Sequence, residues 1–168
     1  MYVYVIALGS NRRHGRHGAP RAVLAAAVAA LSAHGIAPIR MSPIVDTPAL
    51  GPAGRRFANA ALLARTPLEP PDLLASLKTV ERAFGRRRGR RWGTRVLDLD
   101  ILLWSGGAWR SRALAIPHAA LAERRFVLDP LVSIAPDWRI PSGASVRQLR
   151  ARLTRPLPNH RAPDRSGP

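Results

Sequence analysis

Two carboxylates, Asp98 and Asp100, stand two residues apart inside an apolar run that is typical of a buried strand. Successive side chains of a strand point to opposite faces, so both acids share one face, with Cα atoms roughly 6.5 Å apart. The apolar side chains of the run are predicted to point the other way, into a core: Leu97, Leu99, Ile101 and Leu103. Hard cations such as Mg²⁺ prefer a few carboxylates completed by substrate phosphates. The pair therefore predicts a site for one or two hard cations, with a solvated polar strand face as the alternative.

Arginines cluster directly before the acid pair, at positions 86–88, 90, 91 and 95. A guanidinium group binds phosphate oxygens in a bidentate manner. Carboxylates, a cation and arginines together are typical of a polyphosphate site. We therefore predict that Arg88 and Arg95 clamp phosphates. A solvated surface position is the alternative for any single arginine in so arginine-rich a chain.

Phe57 and Asn59 form a second candidate pair, because residues two apart on a strand share a face. An aromatic ring beside an amide suits a flat heterocycle, which the ring stacks on and the amide reads through hydrogen bonds. A core phenylalanine followed by an asparagine at a strand end is the alternative. Trp92 either covers an aromatic ligand or anchors its own loop.

His118 and Glu81 are weaker candidates when each is taken alone. His118 follows a proline, and it would hydrogen-bond a phosphate or a ribose, or else be a neutral residue of a turn. Glu81 shares a helix face with Leu74 and Leu77, which makes it either a half-buried acceptor or a surface acid. The chain contains neither a P-loop motif nor the protein-kinase signatures, so a bound nucleotide would use another kind of site.

The composition is that of one strongly basic domain. The chain has 168 residues, 46% of them hydrophobic, with a formal net charge of +17 and no cysteine. The charge indicates an anionic partner or a chain-wide compositional bias, because Lys78 is the sole lysine and alanine, proline and glycine are abundant. No apolar run approaches the ~20 residues of a membrane span, and the first residues lack the basic start of a signal peptide. We expect a cytoplasmic protein.

The elements that would position these side chains follow a split βαβ order. Prolines at positions 20 and 70 begin helices, and glycines at positions 35 and 85 end them. Two prolines restrict residues 36–47 to an edge or broken strand. The other predicted elements are strands at 2–8, 57–65 and 95–104, a hairpin arm at 108–116, a short helical stretch from Pro117, and a helical turn or two at 125–131.

This order predicts an α+β fold, with a ferredoxin-like, mostly antiparallel sheet and helices packed on it in a three-layer α/β/α sandwich. We expect a single domain over residues 1–154. Residues 155–168 are rich in proline and arginine and lack apolar periodicity, which predicts a disordered tail.

Five segments occur in a recognisable order along the chain. They are Ala7-Leu8-Gly9-Ser10-Asn11, Thr47-Pro48-x-Leu50-Gly51-Pro52, Phe57-x-Asn59-Ala60, Arg91-Trp92-Gly93-x-Arg95-x-x-Asp98-Leu99-Asp100-Ile101-Leu102, and Pro117-His118 before Arg124-x-Phe126-Val127-Leu128-x-Pro130-Leu131. By these segments the chain resembles the 6-hydroxymethyl-7,8-dihydropterin pyrophosphokinases of folate biosynthesis. The resemblance covers roughly residues 2–140, and the arginine and aspartate block is its most specific part.

The resemblance implies transfer of pyrophosphate from ATP to the hydroxymethyl group of the pterin, giving AMP and the pterin pyrophosphate. It implies two Mg²⁺ ions on Asp98 and Asp100, catalytic roles for these two acids with Arg88 and Arg95, and a monomer without nucleic-acid or membrane partners. The implied pterin pocket consists of Thr47, Pro48, Leu50, Phe57, Asn59, Trp92 and Phe126. The implied ATP site consists of Glu81, Arg88, Trp92, Arg95, Ile101, His118 and Arg124.

Two other functions stay open from the sequence. One is a different Mg²⁺-dependent transferase acting on a related pterin. The other is a small RNA-binding protein, which the basic charge and the sheet favour. RNA-reading sheets carry an aromatic-rich strand, and aromatics are only 5% of this chain. The RNA-binding alternative is therefore the weaker one.

Overall fold

The computed structural model describes residues 1–48, 56–85 and 96–154, and within these ranges the chain is an α+β protein. The strands are β1 Tyr2–Ser10, β2 Ala37–Met41, β3 Val45–Thr47, β4 Phe57–Thr66, β5 Asp98–Trp104, β6 Trp109–Arg110 and β7 Ala115–Ile116. The α-helices are α1 Pro20–Ala33, α2 Pro70–Ala83, α3 Arg125–Ile134 and α4 Val146–Thr154, and a 3₁₀ turn spans Leu121–Glu123. The tail at 155–168, predicted to be disordered, lies outside the described residues.

The central sheet is built around β1. This strand pairs antiparallel with β4 on one side and with β5 on the other, and β4 also pairs antiparallel with β2 and β3. The order β2-β4-β1-β5 puts β5, which begins at Asp98, at one edge of the described sheet. The predicted antiparallel sheet is confirmed, and β2 with its Pro38 lies at the opposite edge, as the prolines predicted.

Helices α1 and α2, which pack on the same face of the central sheet, begin and end where the sequence predicted. Pro20 and Pro70 occupy the first turns of α1 and α2, where a missing N–H costs nothing. Gly35 (φ 71°) and Gly85 (φ 83°) follow the helix ends in the left-handed conformation that glycine adopts without strain. None of the helices in the described ranges is long and apolar enough to cross a membrane.

The two faces of the sheet bury two separate sets of apolar side chains. On β1, Tyr4, Ile6 and Leu8 pack with side chains of α1 and α2, in what we call the α1/α2 core. Val5 points the other way and packs with α3 and α4, in the α3/α4 core. The strict alternation along β1 follows from the two-residue repeat of a strand.

One face prediction for β5 is wrong. Leu97, Leu99 and Ile101 lie in the α1/α2 core as predicted, but Leu103 lies in the α3/α4 core. The reason is a bulge in β5. Ile6 of β1 faces Ile101 and the adjacent Val5 faces Leu103, so β5 has one extra residue between these two pairs. An extra residue in a strand reverses the faces beyond it.

The second half differs from the prediction in three further places. Residues 108–116 do not form one arm against β5, because β6 and β7 pair with each other in a separate two-stranded sheet. The helical turn or two predicted at 125–131 is the longer α3, and α4 had no counterpart in the prediction. An ion pair joins these last two helices, with Arg150 Nε 2.9 Å from Asp129 Oδ1.

Candidate active site

A row of paired residues runs across four strands at the end of the sheet where β5 begins. Asp98 on β5 faces Gly9 on β1, Gly9 faces Asn59 on β4, and Asn59 faces Val45 on β3. Residues directly opposite each other in paired strands have their side chains on the same face. Asp98 and Asn59 are therefore on one face with Gly9 between them.

Gly9 leaves a gap between these two polar side chains. A Cβ atom built on Gly9 would lie 3.5 Å from Asn59 Oδ1 and 4.0 Å from Asp98 Cβ. Because Gly9 has no side chain, the surface of the sheet is open here between the Asn59 amide and the Asp98 carboxylate. We call this open surface the Gly9 floor. A flat ligand could approach the backbone closely at this position.

Asp100 lies in the next row on the same face. It faces Ala7 on β1, which in turn faces Ala61 on β4. Ala61 belongs to the α3/α4 core and Ala7 packs against it, so both acids are on the α3/α4 side of the sheet. The prediction that Asp98 and Asp100 share a face opposite Leu97 and Leu99 is confirmed, and both acids are half-buried.

Asn59 is held in one orientation by Thr47. The Asn59 side chain is nearly buried, and its Nδ2 donates a hydrogen bond of 2.8 Å to Thr47 Oγ1. This bond turns the amide N–H towards β3 and leaves Oδ1 on the side of the Gly9 floor. Asn59 therefore presents an acceptor to anything lying on that floor.

Two phenylalanines lie on elements that belong to or contact the strands of this row. Phe57 faces Thr47 across the β3–β4 pair and shares the face of Asn59, as the sequence predicted. Phe126 is in the first turn of α3, a helix that packs on β4. The guanidinium of Arg124, just before α3, lies 5.7 Å from the centre of the Phe126 ring, which is within reach of a cation–π interaction.

Glu81 is fully buried, although the sequence allowed only a half-buried or a surface position. Its Oε1 accepts hydrogen bonds from the backbone N–H of Leu99 (2.8 Å) and from Lys78 Nζ (2.9 Å). Leu99 is the residue between the two acids. Glu81 therefore bonds to the acid-bearing strand itself, an arrangement that the helix pattern alone did not reveal.

His118 has a defined hydrogen-bonding role in the structure. Its backbone N–H donates to Leu102 O (3.0 Å), which ties it to the bulge of β5, and its Nδ1 accepts from the backbone N–H of Ala120 (3.2 Å). In the neutral ring the proton is then on Nε2, which is a donor. The Ile101 side chain is buried in the α1/α2 core, so its predicted place in the ATP site would involve its backbone.

The loop after β1 is attached to the end of α2 by stacked rings. His14 stacks on His17 with ring centres 4.7 Å apart, and His17 stacks on Phe84 at 4.9 Å. Burial of its ring lowers the pKa of His17, and the neighbouring His14 and Arg16 lower it further. These contacts hold the loop beside the point where α2 ends.

The structure describes part of the predicted site. Leu50, Arg88, Trp92 and Arg95 lie outside the described residues, while Pro48 is described and exposed. The described part of the chain thus brings together Asp98, Asp100, Asn59, Thr47 and Phe57 on one face. Sequence reasoning missed Gly9 as a floor and Lys78 as a partner of Glu81.

An antiparallel sheet with an acid pair and an oriented amide on one face is a candidate site for metal-assisted group transfer. The chain belongs to the 7,8-dihydro-6-hydroxymethylpterin-pyrophosphokinase family, whose model matches residues 5–136. This match confirms the resemblance drawn from the sequence.

Individual relatives agree with the family match. The chain is 41% identical over 150 residues to a 2-amino-4-hydroxy-6-hydroxymethyldihydropteridine pyrophosphokinase of Methylorubrum extorquens, covering 88% of this chain and 91% of that protein. It is 42% identical over 114 residues to the protein of the same name from Pseudomonas aeruginosa, covering 67% and 70%. A crystal structure of Plasmodium falciparum HPPK-DHPS with SDX-DHP superposes with a TM-score of 0.62 over 90% of this chain and 44% of that one. At 14% identity it supports the fold alone.

Proposed function

We propose that the face carrying Asp98, Asp100 and Asn59 is where this chain carries out the reaction of its family. That reaction is the transfer of pyrophosphate from ATP to the hydroxymethyl group of 6-hydroxymethyl-7,8-dihydropterin. The observation that supports the proposal is the paired row Asp98–Gly9–Asn59, in which a carboxylate and an amide lie on one face with a glycine between them.

The donor chemistry of the acid pair fits Mg²⁺. No cluster of three or more His, Cys, Asp or Glu side chains able to hold a metal occurs in residues 1–48, 56–85 and 96–154. Two carboxylates that leave the other coordination positions to phosphate oxygens and water are the arrangement Mg²⁺ prefers. We propose that Asp98 and Asp100 hold two Mg²⁺ ions with the triphosphate of ATP. Bound Mg²⁺ would neutralise phosphate charge and polarise the phosphoryl oxygens.

We propose that the pterin lies on the Gly9 floor. Asn59 Oδ1, oriented by Thr47, accepts a hydrogen bond from an N–H of the ring. The predicted ring contacts are with Phe57 and Phe126, whose half-buried side chains support a stacking role. Pro48, Leu50 and Trp92 complete the proposed pocket.

The proposed ATP site consists of hydrogen-bond donors and positively charged side chains. His118 offers Nε2–H to a phosphate or ribose oxygen, because its Nδ1 is already used as an acceptor. Arg124 offers a guanidinium next to Phe126. Arg88 and Arg95 are proposed to stabilise the charge that develops on the transferred group.

The reaction needs positioning more than covalent catalysis. The pterin hydroxyl oxygen forms a bond to the β-phosphorus, and the bond from that phosphorus to the oxygen shared with the α-phosphate breaks. The electron pair of the broken bond leaves with AMP, and the hydroxyl proton passes to solvent. The acid pair, Asn59 and the arginines act by holding the attacking oxygen and the β-phosphorus in line.

The test is to measure AMP release from ATP and Mg²⁺ with and without 6-hydroxymethyl-7,8-dihydropterin. AMP that appears only with the pterin, and without ADP, is the expected result. ADP as the product would mean that the phosphate site transfers a single phosphoryl group. Absence of nucleotide turnover with the pterin present would contradict the proposal.

We propose that the chain is a cytoplasmic monomer with a ferredoxin-like fold. Two buried cores on opposite faces of one sheet support a three-layer, ferredoxin-like arrangement.

A further inference from the structure

The outer edge of β5 is covered by side chains at the residue between the two acids. At a sheet edge, alternate N–H and C=O groups have no neighbouring strand to pair with. The Leu99 N–H donates to Glu81 Oε1 (2.8 Å), and the Leu99 C=O accepts from Lys78 Nζ (3.3 Å). Two side chains of α2 thus take the place of a neighbouring strand at Leu99.

The two side chains are also bonded to each other. Lys78 Nζ donates to Glu81 Oε1 at 2.9 Å, one turn apart on α2. The Glu81 side chain is fully buried, whereas Lys78 is 36% exposed. A buried carboxylate is costly unless it is paired and hydrogen-bonded, so Lys78 contributes to compensating the charge that Glu81 brings to the strand edge. We call this arrangement of Lys78, Glu81 and Leu99 the edge clip.

The edge clip acts on the backbone of the acid-bearing segment. On its inner edge this segment is held by β1, with Gly9 facing Asp98 and Ala7 facing Asp100. On its outer edge it is held at Leu99 by α2. A segment fixed on both edges has little freedom to change the spacing of the two acids, which is what binding of a cation by both requires.

We propose that Lys78 is a positioning residue of this site, which acts through Glu81 and Leu99 to hold Asp98 and Asp100 in the spacing that binds the cation. The inference rests on the proposed function of the acid pair and extends it to a residue on a different element. Lys78 does not touch the substrates in this account; its effect on metal binding is indirect.

The test measures metal binding and backbone protection in Lys78→Met, which keeps an unbranched side chain one atom shorter and removes the charge and the donors. The probe is Mn²⁺ in the presence of α,β-methylene-ATP, followed by electron paramagnetic resonance. The dissociation constant of Mn²⁺ is expected to rise by up to about tenfold, the lower end of the effect of losing a direct partner of a metal ligand, because Lys78 acts on the ligands only through Glu81 and Leu99. Amide exchange of Leu99, followed by NMR, is expected to become faster.

Arg82→Met is the matched control. Arg82 is exposed on the same helix and donates to Lys78 O and Thr79 Oγ1, so its loss removes the same charge without touching β5. It is expected to leave Mn²⁺ binding unchanged. Lys78→Arg keeps the charge and the donors and is expected to recover most of the affinity. Lys78→Gln keeps a donor without the charge and provides a milder change should Lys78→Met not fold.

If Lys78 only stabilised the fold, its variants would change a different set of measurements. Lower stability would reduce the folded fraction and kcat, but it would leave the Mn²⁺ affinity and the half-activating Mg²⁺ concentration of the folded enzyme unchanged. Wild-type Mn²⁺ affinity in any folded variant lacking the Lys78 charge would overturn the inference, as would an unchanged Leu99 exchange rate. Neither readout needs turnover, so a wild-type protein without pterin-dependent AMP release would count against the proposed function and not against the edge clip.

Discussion

Replacing Gly9 by alanine is predicted to raise the stability of the protein and to weaken its binding of the pterin. Gly9 does not have a positive φ, and a Cβ atom there would make ordinary contacts at 3.5 Å and 4.0 Å. The substitution Gly9→Ala should therefore fold. Glycine inside a strand costs roughly 0.5–1 kcal/mol relative to alanine, so the variant should raise Tm by about 1–4 °C.

The same methyl group would occupy the space in front of Asn59 Oδ1. A ring hydrogen-bonded to that oxygen would need to approach it at about 3 Å, closer than the 3.5 Å at which the new carbon would lie. Losing this bond and leaving the nearly buried Oδ1 unpaired costs about 1–3 kcal/mol, which corresponds to about a 5- to 150-fold rise in KM for the pterin. The KM for ATP should change little.

The assay is steady-state AMP release with the pterin varied, together with a thermal melt. Gly15→Ala is the matched control, because Gly15 lies in an exposed loop, has no positive φ, and a Cβ there would meet no atom within 4 Å. A Gly9→Ala enzyme with wild-type KM for the pterin would refute the position of the floor. A marked loss of stability would refute the account of the packing around Gly9.

Three further predictions concern residues around the site. His118→Ala should raise KM for ATP about tenfold, without changing KM for the pterin, because a donor to a charged oxygen is lost; initial rates at varied ATP check this. The folded state disfavours charged His17, so the stability linked to its titration is present above about pH 6.5 and is lost as pH falls towards the lower folded-state pKa. An NMR titration should give a midpoint below 6.5, and His17→Asn should remove this contribution to the pH dependence of unfolding. Arg150→Met should lower stability by only about 0.2–1 kcal/mol, because its pair with Asp129 is partly exposed, and a denaturant titration measures the loss.

The helix ends and the shared face of the two acids could be predicted from the sequence, because local residue signals determine both. Pro20 and Pro70 mark helix starts through their fixed φ and missing N–H, and Gly35 and Gly85 mark helix ends through their positive φ. The shared face of Asp98 and Asp100 follows from the strand repeat alone.

What could not be predicted depends on contacts between distant elements. The bulge that turns Leu103 to the other core exists only in the pairing of β5 with β1. The burial of Glu81 depends on α2 facing the edge of β5 rather than on its own helix pattern. One signal was available for the edge clip, since Lys78 is the sole lysine of an arginine-rich chain and stands one helical turn before Glu81.

In our proposal, Asp98 and Asp100 hold the cation that pyrophosphate transfer requires. The most direct measurement compares pterin-dependent AMP release, and Mn²⁺ binding with α,β-methylene-ATP, in the wild-type protein and in Asp100→Asn. Asn keeps the size of the side chain and removes the charge, so the fold and its thermal melt should be retained. The account predicts that AMP release falls by at least about a hundredfold, the upper effect of disturbing even an outer partner of a metal, and that Mn²⁺ binding weakens in parallel. Near-native turnover with wild-type Mn²⁺ affinity in this variant would contradict it.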